Sequence, residues 1–225
     1  MLNFKLNSNA IDSFSTTPLA DYLKSLGITD IDQFLKIPSH DSEICGAKLD
    51  NAVILVHKLK KLFDENKKFF LIVDCDTDGF TSSAIFYNYF KQVYPNANIE
   101  WMLHEEKQHG IELDKIPADA EVIIVPDAGS NQITELDYLN SLGKYVLVMD
   151  HHETSKNIVY GDLITVVNNQ ISDNFSNKAL SGAGVVFKIV QLFDAIFDLH
   201  FSFPSAILII YNRNFCKMEV TYVHH

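Results

Sequence analysis

Three short clusters carry the residue types that bind divalent cations and move protons: Asp74-Cys75-Asp76-Thr77-Asp78-Gly79, Asp127-Ala128-Gly129 and Asp150-His151-His152. Each follows directly on an apolar run, at 69–73, 122–125 and 145–149. Carboxylates brought together in this number repel one another unless cations neutralise them. The economical reading is one or two bound divalent ions held by oxygen and nitrogen, the ligand set that manganese and magnesium accept. Asp74, Asp76, Asp78, Asp127, Asp150, His151 and His152 are the carboxylates and imidazoles available to such a site.

Rival readings of the same residues are weaker. Asp-x-Asp-x-Asp-Gly opens a calcium-binding EF-hand loop, but the twelfth position from Asp74 is Ile85, where a bidentate glutamate is required, and a strand precedes the loop. A phosphatase of the haloacid-dehalogenase type expects a small hydroxyl or apolar residue where Asp78 stands and leaves His151-His152 unexplained. Two further stretches belong with the clusters. Ser181-Gly182-Ala183-Gly184 opens a long helix, where backbone N–H groups and small residues offer a seat for phosphate or serve as a plain N-cap. In 104–110, Lys107 and His109 are phosphate or substrate contacts, or members of a simple polar loop.

Positioning these residues requires a particular frame. Apolar strands at 69–73, 99–103, 122–125, 145–149 and 163–167 alternate with helices at 81–94, 133–142 and 183–199. This alternation predicts an α/β fold, a mostly parallel sheet covered by helices on both faces. In such sheets ligands bind beyond the carboxyl ends of the strands, where the three clusters stand. Before position 69 the pattern is helical, from Pro18 to a stop at Gly27, at 30–35 ahead of Pro38, and at 49–66 with Ala52, Leu55, Val56, Leu59 and Leu62-Phe63 at helical spacing. Lys58, Lys60, Lys61, Lys67 and Lys68 read as the solvated face of that last helix.

Composition agrees with a folded chain. The 225 residues are 47% hydrophobic and 12% aromatic, too apolar for a disordered polymer. A net charge of −11 argues against nucleic-acid binding unless cations reverse the sign locally at the acidic clusters. The apolar run at 201–211 is interrupted by Pro204 and falls short of the roughly 20 residues that span a bilayer, so no membrane is expected. Cys45, Cys75 and Cys216 form neither a disulfide framework nor a zinc ribbon. With no basic and apolar leader in 1–10, the expected location is cytoplasmic.

In order and approximate spacing, Asp74–Gly79, Asp127-Ala128-Gly129, Asp150-His151-His152 and Ser181-Gly182-Ala183-Gly184-Val185 resemble the motifs of the DHH phosphoesterases. The continuation to Phe187-Lys188 resembles the RecJ branch. The resemblance implies a phosphodiesterase using two divalent ions, Mn2+ or Mg2+, that degrades single-stranded DNA from the 5′ end. By motif match Asp76, Asp78, Asp127 and His151 would be metal ligands, Asp127 bridging, Asp74 and Asp150 ligands or close supports, and His152, with Asp150, catalytic, His152 contacting the scissile phosphate.

There are two departures. Ile72 stands where many relatives have a histidine, and no aspartate follows Asp198, where the family places a further ligand. The expected organisation is a helical lead-in over 1–68, the phosphoesterase domain over 69–200 and a divergent tail over 201–225. A second domain or a partner chain is expected to complete the site. Alternatives are a phosphodiesterase of short oligonucleotides or cyclic dinucleotides, and a non-catalytic fragment that binds metal or nucleic acid.

Overall fold

The computed structural model describes residues 16–32, 45–104, 108–156, 158–199, 208–212 and 215–221. Contacts divide the chain into Met1–Glu43 and Ile44–His225. The first unit contains helix α1 (Pro18–Ser25), which opens on a proline that needs no hydrogen-bond partner there and buries Leu23. Part of the helix expected at 30–35 lies outside the described residues.

The second unit is built on five strands: β1 (Phe69–Val73), β2 (Ile99–Leu103), β3 (Val122–Pro126), β4 (Tyr145–Asp150) and β5 (Ile164–Asn168). Every pairing is parallel and the order is β2-β1-β3-β4-β5. β1, β3 and β5 are buried along their whole length, and β4 at all but its first residue, as the continuous apolar runs require. Successive side chains feed opposite faces. Phe69, Leu71, Val122, Ile124, Leu147, Met149 and Val167 join one core, and Phe70, Ile72, Ile123, Val125, Val146, Val148 and Val166 the other.

Three helices line the first core: α2 (Ala52–Asp64), α3 (Thr77–Val93) and α5 (Gly182–Phe197). Their aromatic side chains interlock. Phe63 stacks on Phe69 at 4.0 Å and on Phe90 at 4.8 Å between centroids, and Phe90 meets Phe193 edge-on at 5.0 Å. Fully burying one such ring contributes roughly 1.5–3 kcal/mol. The second core is covered by α4 (Ile133–Ser141) through Leu136 and Leu139.

Leu55, Val56, Leu59 and Leu62 of α2 are enclosed in the first core, against the sheet. The lysines around α2 are engaged within the chain. Lys58 bonds the Asp162 carbonyl and Thr165, Lys60 pairs with Asp64, Lys67 with Glu121, and Lys68 with Glu100 and Asp119.

α3 begins at Thr77, four residues earlier than its apolar spacing predicts, because Asp76 caps it by accepting the Gly79 N–H at 2.8 Å. In the region read as a tail, β6 (Leu208–Asn212) and β7 (Phe215–Thr221) pair antiparallel as a sheet of their own. The strand order reverses about β1 and β3, so the crevice between their carboxyl ends is where such a sheet takes a ligand.

Candidate metal centre

Asp127 directly follows β3 with φ +63°, a left-handed conformation that aspartate tolerates better than most residues. Its N–H still reaches the Met149 carbonyl of β4 at 2.8 Å, so the turn is anchored to the sheet as the carboxylate swings inward. There Asp127 is 1% exposed, and its Oδ1 receives no hydrogen bond. His151 Nε2 lies 3.1 Å from that oxygen without the alignment of a hydrogen bond, and 3.5 Å from Asp78 Oδ2. Side-chain atoms from the turn after β3, the turn after β4 and the first turn of α3 thus converge without hydrogen-bonding one another. Burial raises Asp127 to about 7; Asp78 and Asp76 push the same way and His151 opposes them. For His151, burial works downward and is outweighed by Asp127 and Asp78, so its pKa is raised.

A buried carboxylate oxygen without a donor, beside an imidazole nitrogen and a second carboxylate, fits a divalent cation with oxygen and nitrogen ligands. Asp127, His151 and His152 offer ligand atoms that all lie within 4.8 Å of one another.

Asp150 is built differently. Its Oδ1 accepts the N–H of His151 at 2.7 Å, the N–H of His152 at 3.1 Å and Nδ1 of His152 at 2.7 Å, and its Oδ2 accepts the N–H of Ser130 at 3.1 Å. Burial alone would raise this acid, but the His152 and Ser130 donors hold it at about 2. The same bond raises His152 to about 9 against its partial burial. Asp150 therefore orients the histidine pair, its oxygens already taken by donors. The end of β5 braces the pair from behind. Asn168 donates to Ser130 Oγ at 3.0 Å and to the His152 carbonyl at 2.9 Å, and Gln170 donates to the His151 carbonyl at 3.0 Å.

Asp78 closes the centre on the other side. Its two oxygens accept the N–H groups of Gly182 at 2.7 Å and Ala183 at 2.9 Å, while Ser181 Oγ accepts the N–H of Gly184 at 3.2 Å. The open phosphate seat expected at Ser181, Gly182 and Gly184 is filled by the chain's own carboxylate and hydroxyl. Small residues are needed for another reason: a Cβ on Gly182 would fall 2.1 Å from Asp127 Oδ1. Asp76 stays exposed at the start of α3, and Asp74, 3% exposed, accepts from the Cys75 N–H and pairs with His109. Lys107 lies outside the described residues.

The sequence pattern of the DHH family, N-terminal domain, matches residues 68–210. The chain belongs to the DHH family. Within it, the chain is 40% identical over 183 residues to YorK, a protein of Bacillus subtilis (strain 168) derived from prophage SPbeta and named as a single-strand DNA-specific exonuclease. That match takes 81% of this chain and 31% of YorK. The single-stranded-DNA-specific exonuclease RecJ of Escherichia coli (strain K12) is 28% identical over 142 residues, 60% of this chain and 24% of that protein. The structure of RecJ in complex with Mn2+ from Thermus thermophilus superposes with a TM-score of 0.56 at 21% identity, over 67% of this chain and 22% of the other, a likeness of fold. This DHH chain thus spans about a third of YorK and a quarter of the Escherichia coli protein.

The sequence reading passed over Ser130, Asn168 and Gln170. For Asn168 and Gln170 a signal is present, because β5 runs into a polar stretch, Asn168-Asn169-Gln170, on the ligand side of the sheet.

Proposed function

We propose that this chain is the metal-binding phosphoesterase domain of an exonuclease that hydrolyses single-stranded DNA from the 5′ end, with two divalent ions, Mn2+ or Mg2+, as cofactors. The observation that carries it is the donor-less Oδ1 of Asp127, buried between His151 and Asp78 in a DHH-family fold. The names of YorK and RecJ support the choice of single-stranded DNA.

In this reading Asp76, Asp78, Asp127 and His151 hold the ions, which when bound lower the pKa of water and neutralise the phosphodiester. Asp74 and Asp150 stand one layer behind. Asp150 fixes the His152 ring through Nδ1, which leaves Nε2 to donate to a phosphate oxygen. In the metal-free chain the Asp150 bond raises His152 to about 9, which favours a protonated ring placed to meet the charge that develops on the phosphate. His109 and Lys107 are assigned to the substrate approach, and Ser181, Gly182 and Gly184 to the seating of Asp78 rather than to direct phosphate contact. A domain or partner chain beyond this one supplies the far wall of a strand-binding groove, in keeping with the greater length of YorK. Among the described residues no helix is long and apolar enough to cross a membrane, and we place the enzyme in the cytoplasm.

Cleavage of 5′-labelled and 3′-labelled single strands with Mn2+ tests the proposal. Mononucleotides released from the 5′ end, and lost in Asp76→Ala and His151→Ala, are expected. Tight Mn2+ binding with no cleavage of long strands or dinucleotides would sink it.

A further inference from the structure

We infer that Asp74, Cys75 and His109 form a separate site for a thiophilic divalent cation, of the Zn2+ type, on the flank of the centre described above. Their ligand atoms, one oxygen, one sulfur and one nitrogen, all lie within 4.8 Å of one another. None of the three belongs to the Asp127, His151 and His152 group.

The donors are held from two directions. Asp74 is buried at the end of β1, and its Oδ1 takes the Cys75 N–H at 2.8 Å and faces His109 Nδ1 at 2.9 Å. His109 comes from the loop after β2, and that loop is clamped just beyond it. The Gln132 side-chain amide accepts from the Ile111 N–H at 2.6 Å and donates to the Ile111 carbonyl at 3.2 Å. Gly110 makes the clamp possible, with φ +74° and no Cβ, since a Cβ there would meet Gln132 Oε1 at 2.0 Å. The imidazole is itself 59% exposed, so an ion can enter from solvent.

The donor set decides the metal. A thiolate beside an imidazole and one carboxylate suits Zn2+, which takes three protein ligands and keeps a fourth position for water. Manganese and magnesium prefer oxygen-rich sites and bind thiolate far more weakly than Zn2+ does. The two sites therefore sort ions by chemistry although they share one loop. Asp74 and Cys75 directly precede Asp76, so an ion fixed to them restrains the first acidic cluster and slows Mn2+-dependent cleavage. That consequence rests on the proposed function, whereas the binding itself does not.

The test uses the full chain with Cys45→Ser and Cys216→Ser, which leaves Cys75 as its thiol. Cd2+ is titrated in the presence of saturating Mg2+ while the ultraviolet thiolate-to-cadmium charge-transfer band is recorded. The band is expected to saturate at one equivalent and to be displaced by Zn2+. Its apparent affinity should weaken about tenfold or more in His109→Ala. No band, a band indifferent to His109→Ala, or one abolished by Mg2+ overturns the site. In a second arm, the ratio of Mn2+-dependent cleavage rates with and without Zn2+ is compared between this protein and its Cys75→Ser derivative. Selective inhibition of the former supports the regulatory consequence, and equal inhibition overturns it. Absence of cleavage without Zn2+ counts against the nuclease reading and leaves the cadmium result standing.

Discussion

The carboxylate of Asp78 accepts the backbone N–H of Gly182 at 2.7 Å, joining the first acidic cluster to the start of α5 across 104 positions of sequence. One side chain thereby serves as a helix cap and as a wall of the metal centre. Asp78→Ala removes both roles. A loss of about 1–2 kcal/mol of stability is expected from the cap. Mn2+ affinity should fall by a further 10–100-fold or so, read by calorimetric titration of the folded variant. Unchanged Mn2+ affinity would separate Asp78 from the centre.

Gly182→Ala probes the same junction from the other partner. Alanine favours the helix, so the metal-free melting temperature should move little through propensity. The added methyl must nonetheless displace Asp127 Oδ1, which it would otherwise approach at 2.1 Å. Mn2+ binding is expected to weaken about tenfold or more while the fold, followed by circular dichroism, is retained.

Asp127 makes the centre sensitive to pH. Burial lifts its carboxyl from the ordinary 3.8 to about 7, so the folded chain keeps a proton that the unfolded chain has lost. Stability of the metal-free protein should decline as pH rises from about 4 through about 7. Asp127→Asn should abolish that part of the decline in thermal melts. Below pH 7 a cation must displace this proton as well as the one on His151, whose pKa is also raised, so Mn2+ affinity should drop about tenfold or more per pH unit there. A flat affinity between pH 5.5 and about 8 would show that Asp127 is no ligand.

His152 and Asp150 give the opposite test. His152 is raised from 6.5 to about 9 and Asp150 lowered from 3.8 to about 2. Their joint stabilisation is present between about 4 and 6.5, fades as pH climbs through 9, and is lost again as pH falls through 2. In Asp150→Asn the His152 titration, followed by NMR, should return towards 6.5. A midpoint left near 9 would mean that another group holds the proton.

Most of the frame was legible because each strand announces itself. Phe69–Val73, Val122–Pro126 and Tyr145–Asp150 are apolar on both faces, as the parallel interior strands they form must be. The acids that interrupt them therefore fall at the ligand end. What depended on distant pairing was not legible. Nothing near Asp78 indicates that Gly182 will bond to it, and nothing near His152 indicates Asn168. The early start of α3 was hidden for a local reason, since Asp76-Thr77-Asp78-Gly79 has the composition of a turn and only the Asp76 cap converts it into a helix. The pairing of β6 with β7 lay in a run whose apolar character was read as a tail.

The long-range bond from Asp78 also sets a schedule for synthesis. A ribosome releases the Asp74–Gly79 cluster more than a hundred residues before the Gly182 and Ala183 amides that will receive it. Until α5 emerges and docks, Asp78 has no helix amides to cap and Asp127 no enclosing wall. A nascent chain thus carries every early acid of the cluster, yet the cluster itself is assembled only after the domain has left the exit tunnel.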